Sequence, residues 1–191
     1  MAVLIACLLL SLPLTAQQSR FTIHRGNQVL GSVVAQRVAL GDRTVYSMIS
    51  LSEFHLVLKQ VVRSMHTTEY RDGRMALCNT RVTVNGALRD SSHGAHEAAA
   101  LQCFVHPRER FVHDGEVHWT TARMYFEEPV DQSSIFVESV MRACPLQRVG
   151  PGRYKLLLPG HKANLYCYEG GRLQALHVDR GLFELVFRSA D

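Results

Sequence analysis

The 191-residue chain lacks the short motifs that mark most enzyme active sites. It has no Gly-x-Ser-x-Gly elbow, which removes the usual α/β-hydrolase nucleophile. It has no Gly-rich phosphate cradle and no dinucleotide fingerprint; Gly150-Pro151-Gly152 reads as a turn. No two cysteines stand at Cys-x-x-Cys spacing, so neither a redox motif nor a zinc knuckle is supported. Charge is sparse at 20% of residues, with a formal net charge of +4 from 21 basic and 17 acidic side chains. The basic residues are scattered and form no stripe, which argues against a nucleic-acid surface. Tryptophan occurs once, at Trp119.

The first sixteen residues carry no charge at all. They resemble the apolar core of a secretory signal peptide, with the small residue Ala16 at the cut. The expected organisation is a leader over 1–16 and a single domain over 17–191, exported to the periplasm or beyond. The apolar run is short for a transmembrane helix and contains Pro13, so no membrane span is expected. Leu4-Ile5-Ala6-Cys7 has the form of a lipoprotein box. Only three residues precede it and the apolar run continues past Cys7, so no lipid anchor is expected. Removal of the leader leaves Cys78, Cys103, Cys144 and Cys167. In an oxidising compartment four cysteines allow three pairings, and four buried thiols are the alternative. The spacing does not choose.

The remainder reads as short strands and tight turns. Thr44 to Leu51 sets Val45, Ile49 and Leu51 on one side and Tyr46 and Met48 on the other, which predicts partial cover on both faces. Phe54 to Tyr70 suits helix or strand, and its β-branched residues favour one long strand. Asp72-Gly73 and Asn85-Gly86 supply hairpin turns. Asp90 to His96 is small and polar, and is expected to be an exposed loop. Cys103 faces inward with Leu101 and Val105, and a hairpin is expected around Asp114-Gly115. Four strands from Arg153 to Arg188 form a meander, with Phe183, Leu185 and Phe187 inward.

Trp119 to Pro145 breaks this pattern. It holds the only tryptophan and two prolines, and its apolar spacing settles into no alternation. We read it as a short, partly helical crossover between two meanders. The fold class is therefore all-β: one strongly curved antiparallel sheet, half-barrel-like, with the crossover at about 119–145 against its concave side.

A family resemblance rests on residues in this order: Ile23-x-x-Gly26 followed by Gly31, Tyr70-x-x-Gly73, Tyr125-Phe126-Glu127-Glu128-Pro129, Leu156-x-Leu158-Pro159 and Tyr168-Glu169-x-Gly171-x-Leu173. The chain resembles an exported bacterial family described as domain of unknown function 6134. The similarity spans about Arg20 to Ser189, and its most specific piece is the Tyr-Phe-x-Glu-Pro stretch. The resemblance implies a strongly curved antiparallel sheet, similar in outline to half-barrel lipoprotein carriers. It implies no activity, cofactor or catalytic residue.

Ten histidines invite a metal reading, centred on His93-x-x-His96-Glu97 with His106, His113 and His118 nearby. Their spacing matches no zinc motif, and solvated loop histidines are the simpler reading. Glu127-Glu128 is a poor acid–base pair, because neighbours on a strand face opposite ways. Cys78 and Cys103 fall on inward faces, where thiols are inert. No catalytic residue, metal or cofactor is assigned. The concave side can be covered by the crossover itself or left as a cleft for an apolar ligand. Trp119, Met124, Tyr125, Phe126, Tyr154 and Phe183 are the residues expected to fill that concavity or line its cleft. The expected role is non-enzymatic: an envelope protein binding an apolar small molecule, such as a lipid or acyl group, or another envelope protein. A secreted hydrolase or metal enzyme using the His-rich hairpins, and a structural interaction module, are the alternatives.

Overall fold

Alternating apolar residues and tight turns dictate the topology. A computed structural model of the chain describes residues 14–55, 58–97, 100–179, 181 and 183–191. Most of the expected leader, Leu56 and Val57 of the ambiguous stretch, and Arg180 of the last turn lie outside the described residues. Fourteen strands occur among the described residues. The first meander comprises β1 (Leu14–Arg25), β2 (Gln28–Leu40), β3 (Arg43–His55), β4 (Lys59–Arg71), β5 (Arg74–Val84), β6 (Ala87–Glu97), β7 (Ala100–Val105) and β8 (Glu109–His113). The second comprises β9 (Ser134–Val137), β10 (Arg142–Gly150), β11 (Arg153–Leu158), β12 (Lys162–Glu169), β13 (Arg172–Asp179) and β14 (Glu184–Ser189).

All of them belong to one antiparallel sheet. Each strand pairs with its neighbours in sequence, except that β1 also pairs with β14, and β8 and β9 form the two edges. The sheet is not closed into a barrel by backbone bonds. Side chains span the seam instead. Arg142 of β10 ion-pairs with Glu109 of β8 and lies 5.4 Å from the centre of the Phe111 ring. The His113 ring packs on Phe136 at 5.1 Å.

Two devices set register and curvature. Asp72-Gly73 and Asn85-Gly86 adopt positive φ at both turn residues, the geometry that matches strand twist in two-residue hairpins. Asn85 Oδ1 also accepts a 2.8 Å bond from Val61 N–H. Bulges interrupt the ladder at Ile23/His24, Glu69/Tyr70, Val82/Thr83, Arg148/Gly150 and Cys167/Tyr168. Each adds local bend and twist.

Several expectations need correction. Asp90 to His96 is no loop: it lies in β6, paired with β5 and β7. Two of its small residues, Ser92 and Gly94, are buried and inward-facing. A Cβ at Gly94 would stand 3.1 Å from Cys78 Sγ and 3.1 Å from Met141 Sδ, and Ser92 Oγ donates to Glu138 O at 2.6 Å. Small size here meets tight packing, a signal easily mistaken for exposure. The hairpin around Asp114-Gly115 does not form. The chain leaves β8 at His113 and turns under the sheet, where Val117 O accepts from Met75 N–H at 2.8 Å. Phe54 to Tyr70 divides between the end of β3 and the length of β4. The irregular crossover is also shorter than expected. It ends at Ser133, because Ile135, Phe136 and Val137 form β9 and the chain from Arg142 forms β10. Its helical part is a single 3-10 turn, Arg123–Tyr125. Finally, the outer face of β3 is covered only at its start: Val45 and Ser47 are half-buried there, whereas Ile49 is 56% exposed and Leu51 41%.

The crossover divides the core. One cluster joins Phe21, Ile23, Val33, Leu156, Tyr166 and Leu176 around Met124 and Tyr125. The other joins Tyr46, Met75, Cys78, Leu101 and Met141 around Val117 and Ala122. Phe126 packs against both. Among the described residues no helix is long and apolar enough to cross a membrane.

Gly31 of β2 is a sharp test of this packing. A Cβ there would meet Leu51 O at 2.0 Å and Ser52 Cα at 2.7 Å, both backbone atoms that cannot swing aside. Gly31→Ala is expected to lower stability by about 1–3 kcal/mol in equilibrium urea unfolding, the usual range for overpacking.

Candidate functional site

The concave side has a sealed half and an accessible half. At the end where β3 begins and β4 finishes, four inward tyrosines hold the crossover by their hydroxyls. Tyr46 donates to Glu127 Oε1 at 3.1 Å, Tyr70 to Thr120 Oγ1 at 3.0 Å, Tyr154 to Glu128 Oε1 at 2.8 Å and Tyr168 to Met124 O at 2.6 Å. They come from β3, β4, β11 and β12, so both meanders grip the same plug. Burial, reinforced by the Glu127 charge, pushes the Tyr46 phenol up to about 12. Burial also raises the other three, so all four remain neutral donors. Arg123 adds bonds to Glu127 Oε2 from Nε at 2.8 Å and Nη2 at 2.6 Å, and its guanidinium lies 4.2 Å from the centre of the Trp119 ring. Glu127 and Glu128 therefore bind different partners and share no reacting space.

Glu138, in the turn after β9, is the central anchor. Its side chain is fully buried, at 1% exposure. Oε1 accepts from Ala122 N–H at 3.0 Å and Thr68 Oγ1 at 3.2 Å; Oε2 accepts from Thr121 N–H at 3.1 Å and from the Thr121 hydroxyl. A buried carboxyl group needs donors for its oxygens, and here two of them are backbone N–H groups of the crossover. Thr120 also bridges to Phe136 in parallel, laying the crossover along β9.

Toward the opposite end, where β3 finishes and β4 begins, the concave side is more accessible. Met48, Phe54, Leu158, Leu185 and Phe187 pack on the core yet are only half-buried. Phe54 meets Phe183 at 6.4 Å across β2 and β1, and Arg25 stacks on Phe183 at 4.9 Å. The facing wall is polar. Ser50 and Ser64 bond at 2.6 Å, as do Thr80 and Ser92, and His66 lies between these pairs in register. Burial holds the His66 ring below its ordinary value of 6.5, against the pull of Glu138. Asn164 Oδ1, on β12, is buried without a partner.

The six residues expected to fill or line the concavity thus separate. Met124, Tyr125 and Tyr154 are buried in the sealed half, with Trp119 and Phe126 half-buried beside them. Phe183 stands apart, at the rim of the accessible half. The histidines are dispersed. His93 bonds to Asn79 at 2.6 Å, and His118 to Gly73 O at 3.1 Å with Glu116 beside it. Among the described residues no group of three or more His, Cys, Asp or Glu side chains could hold a metal. Cys78, Cys103, Cys144 and Cys167 are free thiols. Burial raises the Cys78, Cys103 and Cys144 thiols, which keeps them protonated. Sequence reasoning missed Glu138 and His66. The four inward tyrosines, on two pairs of adjacent strands, were a readable sign of a polar gasket inside an apolar wall.

The family model for domain of unknown function DUF6134 matches residues 21–190, nearly the whole described chain. The chain belongs to the DUF6134 family. No curated protein matches the DUF6134 chain. Among solved structures it is similar to a beta-barrel-like protein of domain of unknown function DUF1849 from Brucella abortus. The TM-score is 0.57 at 11% identity, with 94% of this chain and 98% of that chain covered. At that identity the likeness concerns the fold alone.

Two outcomes are expected for the polar interior. Glu138→Ala leaves the Thr121 and Ala122 N–H groups and two hydroxyls without an acceptor, and should cost at least about 3 kcal/mol of unfolding free energy. Glu138→Gln should be intermediate, because it keeps the shape but turns an NH2 toward donors. For His66 the folded ring resists protonation, so below pH 6.5 the unfolded chain binds the extra proton. Stability should fall as pH drops from 6.5 toward the lower folded value. His66→Gln should make the thermal midpoint less pH-dependent over that window.

Proposed function

We propose that this DUF6134 protein is an exported, non-enzymatic envelope protein that binds an apolar chain, such as an acyl group, in the accessible half of its concave face. The observation that carries the reading is the contrast between the two halves. The crossover fills one with Met124 and Tyr125, backed by Ile135 of β9, all buried, whereas Met48, Phe54, Leu158, Leu185 and Phe187 remain half-exposed on inward faces. Inward apolar side chains left short of full burial are an energetic shortfall that an apolar ligand would remove, at about 25 cal/mol per Å² covered.

The polar wall supports a ligand with a polar end. Ser50, Ser64 and His66 face the apolar wall, and Asn164 offers an acceptor with no internal partner. In this reading the four tyrosines and Glu138 have no catalytic duty: they fix the floor of the cup. Trp119, Met124, Tyr125, Phe126 and Tyr154 belong to that floor, and Phe183 to the rim. The export half of the reading rests on the uncharged, apolar residues 1–16. Strand β1 starts inside that leader, so a cut after Ala16 would remove the pairs of Leu14, Thr15 and Ala16 with β2 and leave Gln17–Arg25 in place.

Native mass spectrometry after gentle purification, with a screen of fatty acids and lysophospholipids, tests the reading. The expected result is a bound or readily loaded acyl compound. Leu158→Asp and Leu185→Asp should each reduce loading at least about tenfold, through burial of an unpaired charge against the chain. A folded protein that stays empty and takes up no acyl compound would defeat the proposal.

A further inference from the structure

The outer, convex face carries a second feature that the cup does not explain. Successive side chains on a strand alternate faces, so residues in register on neighbouring strands with the same parity share a face. Arg20, Val34, Ile49, Met65 and Arg81 are paired in one row across β1 to β5. Leu51 and Arg63 are paired in the adjacent row, which ends at Leu88. Ile49 is 56% exposed, Met65 55%, Leu88 44% and Leu51 41%. Arg20, Arg63 and Arg81 are exposed beside them. Among the described residues none of these three guanidinium groups has an ion-pair partner. The one glutamate at this end of β3, Glu53, is held by Lys59 at 2.8 Å.

Two shallow grooves open next to these arginines. One, of about 470 Å³, is lined by Val61, Arg63, Thr83, Asn85 and Gly86. The other, of about 490 Å³, lies beside Met65 and Arg81 and reaches Leu88 and Phe104. The face thus combines protruding apolar side chains with unpaired positive charge and recesses of headgroup size.

We infer that this convex face docks on a membrane surface rich in anionic lipid. The apolar residues enter the headgroup boundary, and the arginines meet lipid phosphates. Charge decides the occupant. A second copy would present the same arginines, and the glutamate nearest them on β3, Glu53, is already held by Lys59. A nucleic acid would leave the four exposed aliphatic side chains against a phosphate backbone, and the aromatic that the grooves reach, Phe104, is half-buried and already stacked by Arg110 at 5.4 Å. An anionic bilayer surface satisfies both halves of the patch at once. The inference is independent of the cup, which opens on the other face of the sheet.

The test uses the protein in the form its cell leaves it. Co-sedimentation is measured with vesicles of equal phosphatidylglycerol and phosphatidylcholine, and with vesicles of phosphatidylcholine alone. The expected result is binding to the anionic vesicles, at least about tenfold weaker binding to the zwitterionic ones, and loss of the difference between about 0.1 M and about 0.5 M salt. Arg63→Gln with Arg81→Gln should weaken anionic binding roughly 30-fold, and Ile49→Ser with Met65→Ser at least about tenfold. All four side chains are exposed, so unchanged thermal unfolding should accompany both double variants. Absence of binding, equal binding to the two vesicle types, or binding untouched by either pair of substitutions would overturn the inference. A solution dimer split by the Ile49 and Met65 substitutions would also overturn it, by giving the face to a second copy.

Discussion

The carboxylate of Glu138 sits where a curved sheet most needs help. The sheet curves, and the space on its concave side is filled in part by residues that belong to no strand, Met124 and Tyr125 in one core cluster and Val117 and Ala122 in the other. The chain inserts its own crossover there. An irregular backbone in an apolar interior carries N–H groups with no strand to accept them, and each unmet donor is costly. Glu138 accepts two of those N–H groups and two hydroxyls, linking β4, the crossover and the β9–β10 turn through one side chain. The tyrosine ring complements it from the walls. The plug is therefore held by polar contacts inside an apolar shell, which gives it one position where apolar packing alone would allow sliding.

This arrangement makes the two ends of the cup chemically different. The sealed half is built on phenols, arginine and glutamate around the crossover. The accessible half has aliphatic and phenyl groups on one wall and hydroxyls with an imidazole on the other. The outer face differs again, with apolar side chains set among unpaired arginines. One sheet thus offers three surfaces of distinct character, because the period of a strand is two and each strand can be written separately for inside and outside.

Much of the architecture was legible in the sequence. The Asp-Gly and Asn-Gly turns, the alternation of β11 to β14 and the break after β8 place the two meanders and the plug between them. The strand β6 was not legible, because Ser92 and Gly94 signal a loop by composition while serving as space for Cys78, Met141 and Glu138. Local pattern carries no information about neighbours two strands away. The Asp114-Gly115 turn failed for a similar reason: its chemistry permits a hairpin, but Val117 is drawn to Met75 and the second core cluster. Of the candidate site, the plug residues could be named from their broken periodicity. Glu138 could not, since a glutamate after an apolar run looks like any solvated turn residue until its donors are known. The outer face of β3 is more open than its apolar residues suggest, because apolar groups on both faces resemble a strand covered twice, and among the described residues no second layer lies over Ile49 and Leu51.

The pairing of β1 with β14 has a kinetic meaning. Every other ladder in the sheet joins strands that follow one another along the chain and can zip from a short turn. The contact between Phe21 and Ser189 joins the two ends of the domain. Its loop-closure entropy is the largest in the fold, though it grows only logarithmically with length. Pairings so distant in sequence are slow to form. Each meander can thus assemble on its own, and the crossover tethers them while the far ends search for one another. The cup exists only once that last ladder has formed, since Ile23 and Phe187 meet across it.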